Sequence, residues 1–171
     1  MSVTVTIGKN VYEEVIIGTQ TWMKRNYDFG GTAYDNNMSN VAAYGKLYTW
    51  AEAMAIDEPG WHLPADSEWA TLRTYVGGST AAGHIKEAGT THWTTPNEGA
   101  DNTSGFTGVG AGYYDLDMDT FYSLNQTLMC WTATEDGVDN AWTRGAVYTT
   151  ANFSATSVPK VDKCSVRLIK D

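Results

Sequence analysis

The chain opens on alternation. Val3, Val5 and Ile7 take every second position, much of Val11–Ile17 does the same, and Gly8-Lys9-Asn10 lies between, which predicts a β-hairpin. Gly18-Thr-Gln-Thr-Trp22-Met23 then turns into Lys24-Arg25-Asn26-Tyr27, and residues 28–43 mix Gly, Asn, Asp and Ser without a period, as a loop does. At Gly45 the spacing changes. Leu47, Trp50, Ala51, Met54 and Ala55 recur at helical intervals and predict a helix from Gly45 to Ile56, stopped by Pro59-Gly60. A second helix is predicted over Asp66–Val76, with Trp69, Leu72, Tyr75 and Val76 on one face. Pro64 stands ahead of it, Asp66 and Glu68 suit its positive end, and Gly77-Gly78 closes it. Gly60-Trp-His-Leu-Pro64 forms a rigid aromatic connector between the two.

Residues 77–104 have no period and read as loop, with Trp93 as an anchor. Phe106–Tyr114 carries glycines at alternate positions and reads as a strand that another backbone or ring approaches closely. Asp115-Leu-Asp-Met-Asp119 is a turn into Phe121-Tyr122. Leu128–Thr134, Trp142–Thr150 and Cys164–Ile169 read as strands, and Trp142, Arg144, Ala146 and Tyr148 share one side of the second. A hairpin, two helices, long loops and then several short strands make an α+β fold. No repeat or linker interrupts it, so residues 1–171 form one domain.

Composition narrows the function. Seven Trp and ten Tyr suit a loop-rich fold whose core is built from large rings. The net charge is −9 and no basic cluster exceeds Lys24-Arg25, so a phosphate backbone would be repelled and nucleic acid is excluded as a partner. No run is long enough for membrane insertion, and Met-Ser-Val-Thr-Val-Thr is β-like rather than a signal peptide. That leaves the cell interior, a particle, or a chain with a leader elsewhere. Cys130 and Cys164 are expected as two buried free thiols, with a single bridge between them as the alternative.

The last quarter, Trp131 to Asp162, is too poor in large aliphatics to supply a core and too poor in charge to be a disordered tail. Small polar residues with occasional aromatics are what a recognition surface uses. The residues expected to face a ligand are Glu135, Asp136, Asp139, Asn140, Thr143, Gly145, Val147, Thr149, Asn152, Phe153, Ser154 and Thr156. Phe153 would supply desolvated area and the others orienting hydrogen bonds. Asp115, Asp117 and Asp119 are the one calcium (Ca2+) candidate, but the turn lacks the glycine and distal Glu of an EF-hand loop, so no cofactor is expected. No Ser or Cys has a partner implied by spacing, and His62 reads as a hydrogen-bonded structural residue. The chain is therefore expected to bind rather than catalyse.

Ile17-Gly-Thr-Gln-Thr-Trp-Met23, Tyr44-Gly-Lys-Leu-Tyr-Thr-Trp50, Gly60-Trp-His-Leu-Pro64, Glu68-Trp69 and Ser165-Val-Arg167 resemble, in that order, the Fibrobacter succinogenes major paralogous domain family. The likeness spans nearly the whole chain. It implies a C-type-lectin-like fold and places Trp22, Trp50, Trp61 and Trp69 in packing roles, with Trp142 a buried framework residue. The chain departs from the family pattern at Leu168, where a Cys is common, and at Trp131-Thr-Ala-Thr-Glu135. Calcium-dependent lectins of this fold carry Glu-Pro-Asn or Gln-Pro-Asp and Trp-Asn-Asp, none of which is present; Thr95-Pro96-Asn97-Glu98 has Thr where the acceptor should be.

Among related proteins of the fold are the variable proteins of diversity-generating retroelements, in which a carboxy-terminal segment is diversified by replacement at template adenines. From Asp136 to Cys164, only Trp142, Lys160 and Lys163 fall outside the residues reachable from an AAC codon by changing its adenines. That is roughly half of what average composition would give. The resemblance thus implies a diversified 131–164 segment that recognises a protein or glycan on a cell or host surface, with the protein itself surface- or virion-associated. The alternatives are a surface adhesion or structural module without diversification, and an oxidase of the formylglycine-generating type using Cys130 and Cys164.

Overall fold

The computed structural model describes residues 3–7 and 10–171; Gly8 and Lys9, at the expected hairpin turn, lie outside the described residues. The hairpin forms as the alternation predicts. Strand β1 (Thr4–Ile7) pairs antiparallel with β2 (Asn10–Ile17), burying Ile7, Tyr12 and Ile17 while Val11 and Ile16 face out. Strand β3 (Gln20–Met23) continues the sheet and buries Trp22 and Met23.

The segment expected to be loop contains two 3-10 turns and a one-turn helix, α1 (Val41–Tyr44). The helix expected from Gly45 to Ile56 is shorter. Gly45 adopts φ 73°, and a Cβ there would lie 2.7 Å from the Cβ of Asn26, so the chain reverses and Leu47-Tyr48 runs as strand β4. Helix α2 (Trp50–Met54) starts only where Thr49 and Glu52 cap each other: the Thr49 amide donates to the Glu52 carboxylate (2.7 Å) and the Glu52 amide to the Thr49 hydroxyl (3.2 Å). Met54 and Ala55 are consequently exposed, and Trp50 is only partly buried.

After β5 (Trp61–His62), α3 (Asp66–Tyr75) matches its prediction, with the Glu68 carboxylate accepting the Ala65 amide at 2.8 Å and Gly77 and Gly78 in the left-handed region beyond it. Trp69 and Leu72 are buried, but Tyr75 is 66% exposed and lies across Gly18 instead of entering the core.

Trp93 anchors the long loop, its indole N–H donating 2.9 Å to the Gly108 carbonyl. Only the end of the expected 106–114 strand is regular, as β6 (Ala111–Asp115). Gly108 and Gly110 are pressed against other backbone, where a Cβ would stand 2.9 Å from the Ile85 carbonyl oxygen and 2.7 Å from the Asn125 carbonyl carbon. Strands β7 (Thr120–Leu124), β8 (Thr127–Asp136) and β9 (Asn140–Val147) follow. Strand β10 (Phe153–Pro159) was not foreseen, because Phe-Ser-Ala-Thr-Ser-Val-Pro is rich in small residues and alternates weakly. The expected final strand is two, β11 (Cys164–Ser165) and β12 (Ile169–Lys170).

The strands assemble into one sheet of order β1-β2-β3-β12-β5, a second of order β10-β9-β8-β11-β4, and the separate β6-β7 hairpin. The last residues therefore join both sheets, and Arg167 lies fully buried at the crossing. Its guanidinium donates to the side-chain oxygen of Asn26 (2.8 and 3.1 Å) and to the carbonyls of Met23 (3.0 Å) and Phe106 (2.7 Å). One core cluster gathers Tyr12, Tyr27, Tyr48 and Trp131; the other gathers Trp22, Trp69, Trp93 and Phe106. This is an α+β fold, with β10 as an edge strand. No helix among the described residues is long and apolar enough to cross a membrane.

Candidate ligand-binding surface

The β8–β9–β10 ribbon carries every residue expected to contact a ligand, but divides them. Glu135, Asp136 and Asp139 are exposed at the β8–β9 turn, with Asn140 partly buried beside them. Val147, Thr149 and Asn152 lie at the other end of the eight-residue β9, roughly 25 Å away at the usual rise of a strand. Along the ribbon, Thr156 is exposed and Ser154 and Phe153 are partly buried, Phe153 packing against the second core cluster.

Three expectations are corrected. Thr143 is only 1% exposed and donates its hydroxyl to the Thr156 carbonyl at 3.1 Å. Gly145 is buried with β8 against it: a Cβ would sit 1.9 Å from the Leu128 carbonyl oxygen. Both belong to the scaffold, because Thr143 shares the inward side of β9 with Ala141 and faces Trp131 across the β8–β9 ladder. Trp142, expected buried, is partly exposed beside Arg144, whose guanidinium stands 5.5 Å from its ring and pairs with Asp66.

The β9–β10 loop is held firmly. Lys86, fully buried, donates to the carbonyls of Glu98 (2.8 Å), Val147 (3.2 Å) and Thr150 (3.1 Å). Burial pushes its ammonium down to about 8. Nothing in the sequence distinguishes Lys86 from a surface lysine.

The opposite end is different. Three turns meet there: residues 116–119 between β6 and β7, 137–139 between β8 and β9, and 160–163 before β11. The Lys160 amide donates to the Asp139 carbonyl (2.8 Å), and its ammonium to the Val138 carbonyl (2.8 Å) while lying 4.7 Å from the Trp50 ring. Asp162 accepts the Leu116 amide at 3.0 Å. Leu116, Met118, Val138 and Val161 stand exposed by 47, 66, 87 and 52%. None was singled out from the sequence, yet a signal exists: each immediately precedes an aspartate, Asp117, Asp119, Asp139 and Asp162. With Asp115, Glu135 and Asp136 added, carboxylates outnumber the ammonium groups of Lys160 and Lys163. Burial, with Asp115 and Asp117 adding to it, raises the Asp162 carboxyl above the usual range although the Leu116 amide opposes the shift.

Asp115, Asp117 and Asp119 are not gathered into a cage. Asp115 accepts the Met118 amide (3.0 Å) and Asp119 the Tyr114 hydroxyl (2.6 Å), and no group of three His, Cys, Asp or Glu side chains suited to a metal occurs among the described residues. Cys130 and Cys164 are buried and free. Burial pushes the Cys130 thiol up to about 12, with Arg167 opposing, and raises Cys164 as well. Both ring nitrogens of His62 are hydrogen-bonded, Nδ1 with the Asp171 carboxylate (2.7 Å) and Nε2 with the Glu68 carboxylate (3.0 Å), which links the cap of α3 to Asp171.

These features define a small α+β domain with an aromatic core and one acidic, turn-built end. The chain belongs to the Fibrobacter succinogenes major domain family, whose model matches residues 15–170. Comparison with curated proteins and with solved structures finds no match.

Proposed function

We propose that this domain is a ligand-binding module of the C-type-lectin-like class, and that it recognises a basic, partly apolar segment of a protein partner. The observation that carries the reading is the end where Leu116, Met118, Val138 and Val161 project among carboxylates. Aliphatic side chains exposed together offer desolvation, and the acidic surround selects a positively charged partner and steers its approach. Of the residues expected to bind, Glu135, Asp136 and Asp139 belong to this end.

The same proposal takes 131–164 as a diversified segment. Within 136–164, the three residues outside the adenine-reachable set all make framework contacts. Trp142 packs with Arg144, Lys160 holds the 137–139 turn, and Lys163 donates 2.8 Å to the Thr32 hydroxyl. A near-repeat of this coding stretch beside the gene, differing at adenines, is expected; its absence favours the non-diversified surface module. Binding is preferred over oxidase chemistry because both thiols are desolvated and held protonated at neutral pH, which disfavours the reactive thiolate.

Selection from a displayed random-peptide library tests the surface. Recovered peptides should combine Lys or Arg with large apolar residues and weaken with salt. They should lose about tenfold in affinity, or 1.4 kcal/mol, on the protein carrying Met118→Asp and Val138→Asp. Peptides without basic residues, or equal binding by the double variant, would refute the assignment.

A further inference from the structure

Beside the acidic end, and separate from its aliphatic side chains, lies a cleft of about 590 Å³. Small-molecule sites commonly span about 300–1,000 Å³. Its wall is aromatic: the Phe121 ring stands 5.1 Å from Tyr34 and 4.9 Å from Tyr114, tilted by 54° and 56°. Its rim is polar. Asp35, Asn36 and Asp119 all adopt positive φ (55°, 52° and 48°), so three of the left-handed non-glycine residues line one depression. Such conformations are sparsely populated, and they gather where surrounding structure fixes side chains for a purpose.

Their hydrogen-bonding state is uneven. Asp119 accepts the Tyr114 hydroxyl at 2.6 Å, and Lys163 is engaged by the Thr32 hydroxyl at 2.8 Å. The Asp35 carboxylate and the Asn36 side chain, both exposed, have no hydrogen-bond partner among the described residues. The cleft thus offers a carboxylate acceptor and a carboxamide that both donates and accepts, next to aromatic rings.

We infer that this cleft is a saccharide-binding site for an uncharged, hydroxyl-rich oligosaccharide. A sugar ring presents an apolar C–H face that packs on an aromatic ring. Its hydroxyls donate to Asp35 while Asn36 meets the donor and acceptor of a neighbouring hydroxyl. Charge sets the class: Asp35 and Asp119 against Lys163 leave the site net negative, so anionic sugars and phosphates are repelled. The inference does not rest on the peptide-binding reading of the neighbouring end, and no metal enters it.

Amide chemical shifts read the site directly. Lactose, cellotetraose, maltotetraose and mannotetraose would be titrated as neutral probes, with tetragalacturonate as the anionic one and a Lys/Arg-rich peptide as the competitor class. The expected result is a saturable shift of the Asp35, Asn36 and Phe121 amides with at least one neutral sugar and none with tetragalacturonate. Asp35→Gly combined with Asn36→Gly removes both side chains where the backbone conformation suits glycine, and should weaken that sugar about tenfold or more while leaving Tm unchanged. Met118→Asp with Val138→Asp should leave it unaltered. The assignment fails if no neutral sugar moves these amides, if tetragalacturonate or the basic peptide does so instead, or if sugar binding survives the glycine pair.

Discussion

Lys86 and Thr150, separated by 64 positions, are joined by a 3.1 Å hydrogen bond from a fully buried ammonium to a backbone carbonyl. With the bonds to Glu98 and Val147, it makes one side chain the fastener between the long central loop and the end of β9. Lys86→Met keeps most of the volume and leaves three carbonyls without a donor. Each such loss costs about 1–3 kcal/mol before relaxation or water entry. A drop of at least about 2 kcal/mol is expected in urea unfolding, with faster hydrogen exchange at the Phe153 amide, which donates to Ser79 at 2.8 Å. Unchanged exchange there would show that the loop holds itself.

Gly145 separates scaffold from contact surface. Its sequence context made it a contact residue, yet a Cβ there would meet the Leu128 carbonyl oxygen at 1.9 Å. Since the obstacle is backbone, Gly145→Ala must shift β8 or β9, and a loss of about 3 kcal/mol or outright misfolding is expected. Exposed Thr156→Ala on the adjacent strand should stay within about 0.5 kcal/mol. Paired thermal melts check the contrast.

These contrasts show what the sequence could carry. Alternation exposed β1 and β2, and Trp69, Leu72 and the closing glycines exposed α3, because those signals are local and periodic. The longer helix failed at Gly45, where a close approach to Asn26 overrode the apolar spacing of Leu47, Trp50 and Ala51. Strand β10 escaped because its small residues gain their place from pairing with β9. At the candidate surface, Glu135, Asp136 and Asp139 were legible from turn composition. The distance separating them from Thr149 and Asn152 was not, since it depends on the path of the ribbon. Lys86 was legible only as a charge and Arg167 only as part of the Ser165-Val-Arg167 motif; their burial follows from carbonyls supplied by distant segments.

Asp162 links the last loop to the acidic end through the Leu116 amide. Folding raises its carboxyl above the ordinary value of 3.8, so the folded chain binds more protons than the unfolded one across that window. Stability contributed by this group therefore falls as pH rises from 3.8 through the folded value, and the ionised carboxylate is a burden at neutrality. Asp162→Asn retains an acceptor for Leu116 and removes the charge. Its Tm should exceed that of the parent at pH 7, and the advantage should vanish in acid. A lower Tm at pH 7 would mean that the charge is needed by the fold.

His62 gives a pH dependence of opposite origin. Burial alone would lower its imidazole, but hydrogen bonds with Asp171 and Glu68 and their charges outweigh that, and the net shift is upward from 6.5. A group raised on folding contributes fully below its unfolded value and loses that contribution as pH climbs through the folded one. Tm should accordingly decline above pH 6.5 by a component that His62→Gln abolishes, since Gln can donate to one carboxylate but never gains charge. Because Glu68 also accepts the Ala65 amide at the start of α3, the same decline should register as faster amide exchange in the first turn of that helix. A variant that still loses stability over the same interval would place the titrating group elsewhere.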